Sequence, residues 1–76
     1  MNNKIKEFIN PKSFKINYIN SYLNIVNYDE IVLLTDLKIL IKKNNKIITI
    51  TGLNLTLLKL LDHEILIKGD IKTIEL

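Results

Sequence analysis

The 76-residue sequence has no cysteine, no arginine and no tryptophan, and only one proline and two glycines. Without cysteine, neither a disulfide nor a thiolate metal site can stabilise the fold, so stability has to come from the apolar residues, which make up 47% of the chain. The net charge of +3 is carried by lysine alone. A lysine offers a phosphate only a point charge, whereas arginine binds it through paired hydrogen bonds. Nucleic acid is therefore not the favoured partner.

The sequence also lacks any apolar run near the roughly 20 residues that a membrane-spanning helix needs. The N-terminus has no apolar signal core and no small-residue cleavage site. We therefore expect a cytoplasmic protein, or one held at a membrane by a membrane-protein partner. A chain of this length predicts one small domain with a thin margin of stability.

The domain is predicted to occupy residues 14–76 and to follow an N-terminal arm at residues 1–13. Ile5, Phe8 and Ile9 would share one side of a short helix in the arm. Asn10-Pro11 would end that helix, because the residue before proline is pushed out of the α region.

From Phe14 onwards, short apolar stretches alternate with polar residues and are cut by turn residues, which is typical of β-strands. The pattern predicts an all-β fold of seven or eight short antiparallel strands in meander order, as a sandwich or a partly open barrel. For residues 53–61 a helix remains an alternative, although the interleaved Thr and Asn favour a strand. The predicted strands are residues 14–18, 22–28, 31–34, 37–43, 46–51, 53–61, 64–68 and 71–76.

Three sites between these strands carry turn or bulge residues. Asn44-Asn45 suits a two-residue hairpin loop, because asparagine tolerates the positive φ that both positions require. Gly52 indicates a bulge or a close backbone approach. Gly69-Asp70 predicts another two-residue turn in which the glycine supplies the positive φ.

The residues capable of chemistry form no recognisable active site. The carboxylates lie mostly at turns, and no nucleophile is paired with a base, so we expect a protein that is not an enzyme and has no cofactor and no small-molecule substrate. His63, between Asp62 and Glu64, is more simply an exposed turn residue than a metal ligand. Weaker interaction candidates are a basic hairpin and tyrosines that would stack on bases, although solvated charge and core-capping rings explain both. These candidates are Lys42, Lys43, Lys46, Tyr22 and Tyr28.

Four stretches are apolar on both faces of their predicted strand: Ile31–Leu34, Leu57-Leu58, Leu60-Leu61 and Ile65–Ile67. A small sheet has only one interior, so the second face needs a cover. Self-association or a protein partner would provide it, because large exposed apolar patches are rare in monomers. Another element of the same chain would provide it equally well.

The last fifty residues resemble the YabP/YqfC family of sporulation proteins. An early strand pattern, I-x-N-Y-x-x-I, is followed by I-x-I-x-G-x-N-L-x-L and then by I-x-I-x-G-x-I-x-x-I. Asn44-Asn45 stands where the family usually has glycine, and Leu76 stands where it has an aromatic residue. The matching segments are residues 25–31, 48–57 and 65–76.

The resemblance implies a non-enzymatic structural or interaction module that helps to build the forespore envelope or the spore coat, on the mother-cell side of the forespore. An Sm-like RNA-binding barrel is the alternative, since it is also small and has an Asn-Leu strand and a basic-Gly-Asp turn like Lys68-Gly69-Asp70. The Sm pattern requires an aspartate shortly before its asparagine, and none lies between Ile39 and Asn54. The sporulation family is therefore favoured.

Overall fold

In the computed structural model, residues 13–76 are described, and every regular element among them is a β-strand. The predicted helix in the N-terminal arm lies outside the described residues. No helix that could span a membrane occurs between Ser13 and Leu76. The strands are β1 (Lys15–Ile19), β2 (Tyr22–Val26), β3 (Glu30–Leu34), β4 (Lys38–Lys43), β5 (Lys46–Leu61) and β6 (Glu64–Glu75).

The described residues therefore form six strands rather than the seven or eight predicted. The difference lies at the two glycines, where the chain continues as a strand instead of turning. β5 runs through Gly52, and β6 runs through Gly69 and Asp70. The predicted Gly69-Asp70 turn is wrong, since neither glycine has a positive φ. Residues 53–61 are strand, as the interleaved polar residues favoured.

The six strands form one antiparallel sheet in the order β1-β2-β6-β5-β4-β3. The predicted meander holds for β1-β2 and for β3 through β6, but β2 pairs with β6 instead of β3. In that pairing, Leu23 lies opposite Ile67 and Ile25 lies opposite Ile65. All four side chains are fully buried. Matching the apolar faces of two strands distant in sequence thus fixes the sheet order.

β5 and β6 each take part in two layers of this sheet. In the first layer, the 64–68 part of β6 lies between β2 and the 56–61 part of β5. In the second layer, the 46–51 part of β5 lies between β4 and the 71–75 part of β6. The register of β5 against β6 shifts three times between Thr51 and Lys59, and Asn54 there has a φ of 55°. Such bulges bend a strand.

The core takes side chains from strands of both layers and is made almost entirely of isoleucine and leucine. In β2, Leu23 and Ile25 are buried while Tyr22 is exposed, as the predicted alternation requires. Each such side chain contributes roughly 1.5–3 kcal/mol when it is fully buried. The buried cluster consists of Leu23, Ile25, Tyr28, Ile39, Ile41, Ile48, Ile50, Leu55, Ile65 and Ile67.

The two glycines allow β5 and β6 to cross closely where the layers meet. A Cβ added at Gly52 would overlap the backbone oxygen of Asp70, and one added at Gly69 would lie 2.7 Å from Leu55 Cδ2 and 3.0 Å from Leu55 Cα. Backbone atoms and a buried leucine cannot easily move aside. Glycine is therefore needed at both positions to allow this close approach.

Asparagine forms the tight turn at Asn44-Asn45, between β4 and β5. These residues have φ values of 53° and 64°. Asn20 and Ser21, between β1 and β2, have φ values of 53° and 68°. Positive φ at both central residues is the requirement of a type I′ hairpin turn.

Candidate interaction surfaces

The most exposed apolar part of the sheet is the second half of β5. Five leucines there keep between 42% and 56% of their surface exposed. We call them the leucine surface: Leu53, Leu57, Leu58, Leu60 and Leu61.

The leucine surface includes side chains from both faces of the strand. Leu57 lies opposite Ile67, and Leu60 lies opposite Ile65. These two leucines therefore share the face of the buried core. Leu61 lies opposite Glu64, on the other face. One layer of sheet cannot bury both faces of such a strand.

One edge of the same half-strand also lacks a neighbouring strand within residues 13–76. β4 pairs with β5 only as far as Thr51, and beyond that point the sole partner of β5 is β6. Leu55 N–H donates a hydrogen bond to the Asp36 carbonyl at 2.9 Å, and this bond is not part of any strand pairing. An unpaired edge that is apolar is a template for another chain. Lys59 is the only charged residue between Leu53 and Leu61.

A hollow lies next to the leucine surface, where the segment after β2 passes the β5–β6 turn. Its volume is about 1040 Å³, and it is open to solvent. Two short segments line it: residues 26–31 and residues 60–64. They are brought together by the β2–β6 pairing and by a 2.6 Å hydrogen bond from Asn27 N–H to the His63 carbonyl.

Tyr28 and His63 form the polar centre of this hollow. Tyr28 is only 3% exposed, and its hydroxyl has no hydrogen-bond partner in the part of the chain that the structure describes. Burial, followed by the charges of Asp62 and Glu64, raises the pKa of this tyrosine above its ordinary value. His63 Nδ1 lies 2.9 Å from the Tyr28 carbonyl oxygen, and the two rings meet edge to face. An unsatisfied buried hydroxyl costs roughly 1–3 kcal/mol.

Four carboxylates surround this centre, and two of them already have partners. Asp29 lies 3.7 Å from Lys43 Nζ and accepts the Asn44 N–H at 2.8 Å. Glu64 accepts a hydrogen bond from the Asn24 side chain at 3.1 Å. Glu30 and Asp62 complete the set. No cluster of three or more metal-ligating side chains occurs among the residues from Ser13 to Leu76.

The interaction candidates from the sequence do not come together at one place. Lys42, Lys43 and Lys46 flank the β4–β5 turn in the second layer, where Lys43 pairs with Asp29. Tyr22 lies in the first layer, with Lys68 Nζ 5.7 Å from its ring centroid. Tyr28 is buried and presents no open ring face for stacking on a base.

No local sequence pattern indicates the hollow. Its two segments lie about thirty positions apart, and they meet because β2 pairs with β6 instead of β3. The one available signal was that acidic residues fall next to turns at Asp29-Glu30 and at Asp62 and Glu64.

By its fold, the described part of the chain is a small all-β domain built on one bent antiparallel sheet with open edges. Neither a protein-family model nor a curated protein nor a solved structure matches it.

Proposed function

We propose that this chain is a non-enzymatic interaction module that binds a protein partner, or a second copy of itself, through the leucine surface. The observation that carries the proposal is the coincidence of five half-exposed leucines with an unpaired strand edge. Strand addition uses both features, since the edge supplies main-chain hydrogen bonds and the side chains supply apolar contact. The resemblance to the YabP/YqfC family supports placing this binding in the forespore envelope or the spore coat of a sporulating cell.

The apolar contribution alone would support only a weak complex. Full burial of an exposed leucine yields about 1.5–3 kcal/mol, so five half-exposed leucines would yield about 4–7 kcal/mol. Association costs roughly 4–15 kcal/mol in lost freedom of motion. Main-chain hydrogen bonds along residues 56–61 would have to supply the remainder. The proposal therefore requires a strand or an extended segment as the partner, which includes a segment of a membrane protein.

Self-association is tested by light scattering during size-exclusion chromatography of the full chain over a range of concentrations. Leu58→Lys should shift the protein to the monomer, because it places a charge in the middle of the leucine surface. The matched control is Ile19→Lys, since Ile19 is 67% exposed and lies in β1, which β2 and β6 separate from β5. A wild-type protein that remains monomeric at all concentrations would exclude the second copy and leave only a different protein as partner.

The cellular role is tested by deleting the gene and measuring heat-resistant spores. The Leu58→Lys allele should reproduce the deletion phenotype, whereas Ile19→Lys should not. Normal spore resistance after the deletion would contradict a role in spore formation. Tight, salt-dependent retention of oligo-U on filters by the wild-type protein would instead favour the Sm-like alternative, because phosphate contacts weaken as salt rises.

A further inference from the structure

The hollow beside Tyr28 combines an apolar floor with an acidic rim. Its apolar residues are Val26, Ile31, Leu60 and Leu61, and none of its eleven lining residues is lysine or arginine. The protein as a whole carries a charge of +3, so this local excess of carboxylates runs against the overall charge. A ligand suited to the hollow would bring both positive charge and apolar side chains.

The buried Tyr28 hydroxyl is a second, independent sign that the hollow takes a ligand. Native proteins rarely leave such a group without a partner. Tyr28 lines the hollow together with Asp62 and Glu64, whose charges help to raise its pKa. A lysine ammonium group offers three donors, any of which a tyrosine oxygen can accept.

The described chain begins at the margin of the hollow. Asn27, one of the lining residues, donates a side-chain hydrogen bond to the Ser13 carbonyl at 2.8 Å. Twelve residues precede Ser13. Five residues of extended chain span up to about 17 Å, so Phe8 is within reach of the hollow from that starting point.

The composition of these twelve residues complements the acidic rim and the apolar floor of the hollow. They contain three lysines and one glutamate and, besides Met1, three large apolar residues. We propose that the hollow beside Tyr28 is the docking site for residues 1–12 of the same chain. The positive charge of the lysines complements the acidic rim, and the apolar side chains complement the apolar floor. The lysines are Lys4, Lys6 and Lys12, and the apolar residues are Ile5, Phe8 and Ile9.

This docking is separate from the proposed partner binding, although the two share Leu60 and Leu61. Residues 1–12 would cover those two leucines and leave Leu53, Leu57 and Leu58 free. Loss of the docking would therefore leave the Leu58→Lys result unchanged. Conversely, a protein that never self-associates would still dock its own N-terminal residues.

The test uses the absence of tryptophan from the chain. Phe8→Trp in the full-length protein introduces a single fluorophore, and acrylamide quenching reports its exposure. We expect quenching several-fold weaker than in a free peptide of residues 1–13 with the same substitution. Equal quenching in the two would overturn the proposal.

Two further measurements assign the site and the source of the segment. Adding Glu30→Lys and Asp62→Lys should restore quenching to the level of the free peptide. The matched control, Asp36→Lys with Glu75→Lys, makes the same charge change away from the hollow and should preserve the protection. If the control removes the protection equally, or if protection is lost on dilution because the segment comes from a second molecule, the proposal fails. Far-ultraviolet circular dichroism confirms that each variant remains folded.

Discussion

Gly69→Ala tests the close crossing of β5 and β6 most directly. The new methyl group would lie 2.7 Å from Leu55 Cδ2, 3.0 Å from Leu55 Cα and 3.1 Å from the Asn54 carbonyl oxygen. Two of these three atoms belong to the backbone, so the conflict cannot be relieved by a rotamer change alone. Overpacking of this kind costs about 1–3 kcal/mol.

An opposing effect acts on the unfolded chain. Replacing glycine by alanine where the native backbone permits it stabilises a protein by about 0.4–1 kcal/mol. The φ of Gly69 is not positive, so this gain applies here. The overpacking cost is larger, and we expect a net destabilisation of about 1–2 kcal/mol. For a domain of this size, 1 kcal/mol corresponds to roughly 4–8 °C in Tm.

Urea unfolding followed by circular dichroism measures the change, with Leu55→Ala as the second arm of a double-mutant cycle. Leu55→Ala alone should cost about 2–5 kcal/mol, because it empties part of the core. In the double variant, the alanine at position 69 no longer contacts Leu55 Cδ2. The destabilisation of the double variant should therefore be smaller than the sum of the two single destabilisations by about 0.5–3 kcal/mol. A neutral or stabilising Gly69→Ala, or strict additivity, would refute the close crossing.

Three other changes test separate parts of the structure. Tyr28→Phe should lower the stability of the full chain at pH 7 by about 0.5–1.5 kcal/mol, because the hydroxyl, which has no partner within residues 13–76, accepts a hydrogen bond from a docked lysine. Because the folded-state pKa of Tyr28 lies above the ordinary value of 10.0, unfolding ionises it, and stability should fall as pH rises above 10. The loss of stability above pH 10 should be smaller in Tyr28→Phe than in the wild-type protein. An identical decrease of the unfolding free energy at alkaline pH in the two proteins would contradict this expectation. Asp29→Ala should lower stability in thermal unfolding by about 0.5–1 kcal/mol, because Asn44 N–H loses its acceptor. Asp29→Asn keeps an acceptor oxygen and should retain most of the wild-type stability. Ile67→Ala should lower the free energy of unfolding in urea by about 2–5 kcal/mol, because Ile67 is fully buried. Ile19 is 67% exposed, so Ile19→Ala should lower it by less than about 0.5 kcal/mol. Equal effects of the two substitutions would contradict the position of the core.

The strands themselves were predictable, because alternation shows which side chains can be buried together. Leu23 and Ile25 face the core as their spacing requires. The continuity of β5 and β6 was not predictable, since glycine marks both a turn and a close approach. Only the position of Asp70 against Gly52, set by the tertiary fold, distinguishes the two meanings.

The sheet order and the hollow depend on a pairing between residues about forty positions apart. The local alternation of apolar residues does not show which distant strand pairs with β2, because both β3 and β6 contain apolar residues that could lie opposite those of β2. One feature of the leucine surface was predictable from the sequence, because residues 57–61 are apolar on both faces of the strand. The sequence did not show that the strand edge there would lack a neighbour.

The position of β6 inside the sheet has a consequence for the order of events during synthesis. Among the described strands, β1 and β2 are translated before the others, yet β2 has its second neighbour only in β6, about forty residues further along the chain. At about 5–20 residues per second, several seconds pass between those two moments. During that interval the β1–β2 hairpin leaves Leu23 and Ile25 exposed, so the nascent chain is most vulnerable to aggregation and to chaperone capture until β6 has been synthesised.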